Sequence, residues 1–270
     1  MRELIWSILL GIVEGVTEFL PISSTGHLLL CQRWLGINLD EPNSFWKLFT
    51  VVIQFGAILS VLVYFRQRIT DLVREAVRPT DRGRRPIYLI LAGTVPVLVI
   101  GFILKDWVDE NMGSPWIIVA ALGIGGVLMI LAERFRPTSS IERFDDMSWG
   151  QAVVIGLAQV LAAVFPGTSR SAATIIAGLF AGLSRTAAAE FSFFLAIPAM
   201  GAASAYKMLK GAGALTSREH GLLAVGCVVS FFVAWASIAF LMRILRTHSF
   251  TPFAVYRILL AIIVAAAIWA

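Results

Sequence analysis

Apolar residues fill this chain in long blocks, and the polar residues between them fall into a few short clusters. Six blocks, at about 47–65, 87–104, 116–133, 187–208, 221–242 and 252–270, approach the ~20 helical residues that cross a hydrocarbon core of roughly 30 Å. None shows the period of two that a membrane β-barrel requires. The pattern predicts an all-α, polytopic membrane helical bundle. Two further regions, 3–35 and 149–182, each read as an apolar helix, a proline-centred polar break and a shorter apolar helix. Each half is too short to span, so both are expected to be re-entrant hairpins. Irregular backbone at that depth is tolerated only where protein buries it or water lines it.

The two broken regions align at an offset of 145, which sets Gly11 on Gly156, Pro21 on Pro166 and Ser24 on Ser169. A broken hairpin followed by three crossings occurs twice, giving repeats of approximately 1–134 and 147–270. Three crossings reverse the direction of the second copy, so the hairpins should enter from opposite faces and meet near the middle. That is an inverted-topology repeat, in which paired interrupted helices point to the binding site. Residues 66–86 hold seven arginines against three acids, whereas 105–115 hold one lysine against three acids. The first segment, with 134–148, is therefore read as cytoplasmic and the second as external. The cations around 207–218 fit that assignment poorly.

Composition agrees. The chain is 58% hydrophobic and 14% charged, where a soluble domain carries about 25% charged residues. Its net charge of +5 follows the loops and forms no basic, aromatic-interleaved stripe, so nucleic acid is excluded as a partner. Cys31 and Cys227 lie in apolar segments with no metal or disulfide spacing.

The chemistry concentrates at the breaks. In "EGVTEFLPISSTGH", residues 14–27, Glu14 and Glu18 are four apart and share a helix face. Intramembrane carboxylates are costly and face a cavity, a cation or a basic partner, so this pair suits a divalent cation or a general base. Ser23 or Ser24 should cap a new helix beyond Pro21, with Thr25 and His27 in its first turn. His27 titrates near neutrality. In "FPGTSRSAAT", residues 165–174, Gly167 permits a tight turn and Thr168 or Ser169 caps the next helix, followed by Arg170, Ser171 and Thr174. The Arg170 fork matches phosphate oxygens, and two helix N-termini favour an anion. A polyanion, a cation and a histidine together suggest phosphoryl chemistry. Glu190 is a weaker site candidate. Tyr256 and Arg257 read as residues snorkelling at a helix start, and the glycine pairs 11/15 and 178/182 and "GIGG" at 123–126 as close helix packing.

"EGVTEFLPISSTGHL" and "FPGTSRSAATI", with "EFSFFLAIP" and "TPFAVYR", resemble the bacterial undecaprenyl-pyrophosphate phosphatase family, the group linked to bacitracin resistance. The likeness runs along essentially the whole chain. It implies an enzyme of the bacterial inner membrane, its site toward the periplasm, that hydrolyses undecaprenyl pyrophosphate to undecaprenyl phosphate and inorganic phosphate for peptidoglycan synthesis. It also implies a divalent cation, Mg²⁺ or Ca²⁺, on Glu14 and Glu18. The catalytic set would be Glu14, Glu18, Ser24, His27 and Arg170. Ser24 is the first choice as nucleophile, His27 the second. Ser23, Thr25, Gly167, Thr168, Ser169, Ser171 and Thr174 would bind substrate. Membrane lipids and a second copy of the chain are the remaining candidate partners. The alternative on the same repeat is a polyprenyl-lipid flippase or anion transporter.

Overall fold

A computed structural model describes residues 1–37, 45–77, 81–104, 115–138, 141–211 and 215–269. The external segment expected at 105–115 therefore lies almost wholly outside the described residues. Within the described residues the chain is helical: α1 (Arg2–Thr17), α2 (Ser24–Trp34), α3 (Phe45–Tyr64), α4 (Arg66–Val77), α5 (Asp81–Ile103), α6 (Pro115–Phe135), α7 (Trp149–Val164), α8 (Arg170–Phe180), α9 (Arg185–Gly211), α10 (Ser217–Ile244) and α11 (Thr251–Trp269). Six of these, α3, α5, α6, α9, α10 and α11, are long and apolar enough to cross a membrane. Their outward faces expose large apolar side chains such as Phe55, Val95, Ile124, Phe232 and Ile262, the surface a lipid-facing bundle presents.

The two broken regions behave differently. Helices α1 and α7 have 16 residues each and α2 and α8 have 11 each. At 1.5 Å per residue even the longer ones reach only about 24 Å, short of the hydrocarbon thickness. Each short pair is followed by three long helices, with the amphipathic α4 as the one addition to the first set.

The sets interlock. Helix α1 packs along α10, and α7 along α5, so each hairpin leans on the middle long helix of the other half. Glycine makes this close approach feasible: a side chain at Gly11 or Gly15 would strike α10, and one at Gly156 would strike the backbone of Gly93. Helices α6 and α11 pair with each other. The main core is built largely from α9 and α8, with Phe191, Phe193 and Leu195 packed beside Ile175 and Leu179.

The arginine-rich segments meet on one side. Arg68 of α4 pairs with Asp145 at 2.6 Å and Glu190 at 3.0 Å, and Arg143 joins Asp145 at 2.8 Å. Burial opposes the Arg68 charge, but its bonds to Asp145 and Glu190 outweigh that and hold the guanidinium above its ordinary pKa. Glu190 is thus matched to a cation in a closed network. Nearby, Glu133 takes Arg185 at 2.7 Å and the Phe250 N–H at the head of α11. On the opposite end Arg218, one of the ill-fitting cations, pairs with Glu3 on the exposed surface.

Candidate active site

The two breaks share one cap, a serine at positive φ. Ser23 and Ser169 are the only non-glycine residues with positive φ among those described, at 78° and 70°. Each caps the helix that follows: the Ser23 hydroxyl accepts from Gly26 N–H, and that of Ser169 from Ala172 N–H, both at 3.2 Å. Positive φ is uncommon outside glycine and clusters where function over-determines the backbone. The caps correct the alignment drawn from sequence. Ser23, not Ser24, is the counterpart of Ser169, so Ser24 and Arg170 occupy the same first helical position of α2 and α8.

From that position the two side chains converge on one carboxylate. The Ser24 hydroxyl donates to Glu18 Oε2 at 2.5 Å, and Arg170 Nη2 donates to Glu18 Oε1 at 3.3 Å. Arg170 Nη1 also donates to the Ser192 carbonyl of α9 at 2.7 Å. The guanidinium is largely buried and lies over the Phe19 ring, with its Nε lacking any hydrogen-bond partner. Glu14, one turn before Glu18, is fully buried against the Glu18 carboxylate, and neither of its oxygens accepts from an N–H or hydroxyl donor among the described residues. The ion pair across the hairpins is therefore Glu18 with Arg170, while Glu14 is open.

The remaining residues divide into two groups. Ser171 donates to the Leu20 carbonyl at 3.0 Å, stitching the second turn to the first. Thr174 bonds the Ser192 hydroxyl at 2.7 Å and the Arg170 carbonyl at 2.9 Å. Both hydroxyls are occupied in holding the turns. Thr25 and Thr168 are half-buried in the turn regions, and Gly167 adopts φ 94° against Ile118, where a side chain would collide. His27 stands apart from Ser24: its Nδ1 lies 2.7 Å from the Ser23 carbonyl and its Nε2 2.7 Å from the Tyr256 hydroxyl.

Arg257 overturns its reading as a snorkelling residue. It is fully buried, and its guanidinium reaches the carbonyls of Pro21 in the first turn and of Gly167 and Thr168 in the second, at 3.3, 3.4 and 3.0 Å. It also donates to Ala121 and Leu122 of α6 at 2.9 and 3.4 Å. No carboxylate pairs with it among the described residues. The room for it comes from "GIGG": a Cβ at Gly125 would collide with the guanidinium.

The family model described as "Bacitracin resistance protein BacA" matches residues 7–263. The undecaprenyl-diphosphatase of Lactobacillus delbrueckii subsp. bulgaricus is 44% identical over 98% of this chain and 97% of its own length. The undecaprenyl-diphosphatases of Cupriavidus metallidurans and Koribacter versatilis are 43% and 42% identical, over 97% and 100% of this chain and 94% and 99% of theirs. The chain belongs to the BacA family. The match takes in both turns, the paired acids and the α11 segment that delivers Tyr256 and Arg257. Sequence reasoning missed Arg257, Tyr256 and Ser192 as members of the cluster. The one available signal was the glycine-rich run at 123–126, which leaves space for a large side chain from a neighbouring helix.

Proposed function

We propose that this membrane protein hydrolyses undecaprenyl diphosphate to undecaprenyl phosphate and inorganic phosphate, recycling the carrier lipid of peptidoglycan synthesis and so conferring bacitracin resistance. One observation carries the reading. A serine, a carboxylate and an arginine form a single hydrogen-bonded chain across two helix N-termini, in a chain whose relatives bear the name undecaprenyl-diphosphatase.

The residues divide the work as follows. Arg170 and the free N–H groups heading α2 and α8 hold the diphosphate. Ser24 Oγ bonds to the terminal phosphorus as the bridging P–O bond breaks. Undecaprenyl phosphate departs with that electron pair, and the serine proton passes to Glu18 Oε2. A serine hydroxyl is a weak nucleophile unless a base is within hydrogen-bond reach, and Glu18 is that base here. Water then cleaves the phosphoserine, releasing inorganic phosphate and restoring the hydroxyl. His27 is the second choice as nucleophile, since the structure already engages both of its nitrogens.

The donor set also fits a divalent cation. The two Glu14 oxygens are hard donors buried beside the Glu18 carboxylate, with no N–H or hydroxyl donor to satisfy them. Both Glu18 oxygens already serve Ser24 and Arg170, which makes Glu14 the principal ligand and Glu18 the accessory one. The described residues contain no cluster of three acidic, histidine or cysteine side chains. That suits Mg²⁺, which is commonly held by one or two carboxylates with substrate phosphates and water, and Ca²⁺ shares the preference for oxygen. When bound, it would neutralise diphosphate charge.

The same proposal sets the protein in the bacterial inner membrane with hairpins entering from opposite leaflets. The site opens to the periplasm, opposite the arginine-rich side. Phosphate release from undecaprenyl diphosphate by purified protein in detergent tests it, with and without chelator, for the native chain and Glu18→Gln. Release that needs cation and is lost in the variant is expected. No release with cation present would overturn the enzyme and leave a transporter. Trapped phosphate on His27 would move the nucleophile.

A further inference from the structure

We propose that Tyr256 is a positioning residue for this reaction: it fixes which nitrogen of His27 carries the proton and where the other nitrogen's lone pair points. The inference rests on the reading of the turns as a phosphatase site.

Helix α11 sends two consecutive residues to two different tasks. Arg257 turns inward to the carbonyls of both breaks, and Tyr256 reaches across to α2. The Tyr256 ring lies almost parallel to the imidazole, 7° between planes and 5.6 Å between centroids, with its hydroxyl 2.7 Å from Nε2. On the other side, Nδ1 is 2.7 Å from the Ser23 carbonyl. A carbonyl can only accept, so Nδ1 must bear the hydrogen. In a neutral imidazole Nε2 is then an acceptor, and the phenol must be its donor. The partner of one ring nitrogen thus sets the chemistry of the other.

The strained cap gives this arrangement its second anchor. The carbonyl that holds Nδ1 belongs to Ser23, the residue whose positive φ shapes the turn. His27 is therefore oriented by the turn on one side and by α11 on the other. Besides Tyr256, the charged group α11 brings near His27 is Arg257, whose positive charge also favours the neutral ring. When water cleaves the phosphoserine, its proton passes through the phenol to Nε2, whose new N–H donates to the phenol oxygen. The phenolic hydrogen then swings toward water or a substrate oxygen. Tyr256 is 42% exposed, so it can relay in this way, and packing alone would be served as well by phenylalanine.

Tyr256→Phe keeps the stacked ring and deletes only the hydroxyl. Two readouts decide. In ¹⁵N-histidine spectra of the full protein without substrate, the His27 resonances, assigned against His27→Ala to separate them from His220 and His248, should move from a single Nδ1–H tautomer toward a mixture. In phosphate release, kcat should fall by about 10- to 100-fold, the scale on which losing a histidine's orienting partner acts, with KM within about twofold. Unmoved resonances overturn the proposal even if kcat falls, because the tyrosine would then act on substrate directly. Moved resonances with native kcat also overturn it. If the native chain released no phosphate at all, the phosphatase reading would fail, and the spectra would still report whether Tyr256 sets the tautomer.

Discussion

The turn before α2 and the turn before α8 have the same serine cap and opposite charge. Each breaks at a proline, each caps with a serine at positive φ, and each starts an 11-residue helix. At the first helical position one turn carries Ser24, with Glu14 and Glu18 just upstream, and the other carries Arg170. Neither turn carries both signs of charge. The serine cap is duplicated while the charges are split, so carboxylate meets guanidinium only where the two turns pack together. The contrast with the Arg68–Asp145–Glu190 network is also instructive. There every charge has a partner, whereas at the turns Glu14 and Arg170 Nε are left open.

The largest effect should come from severing the bond between the turns. Arg170→Lys keeps the charge and loses the fork, and Glu18→Gln removes the base. Each should lower kcat for phosphate release by about 10²- to 10⁴-fold, the usual contribution of a positioned proton acceptor. If Arg170→Lys retained native activity, the division of labour between the turns would be wrong.

Glu14→Gln probes the open group. Activity should fall by about tenfold or more and lose its dependence on added cation, by analogy with loss of a metal ligand's support. The thermal midpoint measured in chelator should equal or exceed that of the native chain, because a neutral amide replaces a buried carboxyl held against a second one, Glu18. A sharp loss of stability in chelator would mean that Glu14 has a structural partner.

The two caps test the shared scaffold. Ser23→Ala and Ser169→Ala should each cost about 1 kcal/mol, as loss of an N-cap does. The glycine variants should cost less, since glycine caps adequately and relieves the positive φ. Equal stability losses in denaturant or thermal unfolding would confirm equivalent backbones. Unequal losses would show that the resemblance of the turns is only superficial. The smallest effect belongs to the closed network. Asp145→Asn leaves Arg68 paired with Glu190 and should cost no more than about 1 kcal/mol, with phosphate release unchanged.

The amino-acid pattern made the six long helices and both breaks legible, because hydrocarbon thickness sets a length that short segments fail to meet. It also marked Glu18, Ser24 and Arg170, since charge in such a setting demands a reason. It could not decide between Ser23 and Ser24 as the cap. That choice depends on a single dihedral angle, and the one-residue slip changes which side chain faces Arg170. His27 shares the first turn of α2 with Ser24, yet its side-chain partner lies 229 residues away on α11. Arg257 was misread because an arginine near a helix start ordinarily extends toward headgroups. Only the notch at Gly125 reveals that this one turns inward. Glu190 was legible only as a weaker site candidate, and its pairing with Arg68 is a long-range fact that local context does not contain.

That notch has a consequence for how the protein fails. One guanidinium is moored to carbonyls of both turns, so a fault on α6 reaches the two together. Bacteria screened for regained bacitracin sensitivity should yield changes at Gly125, a residue with no side chain of its own to offer, alongside the expected hits at the acids and the serine.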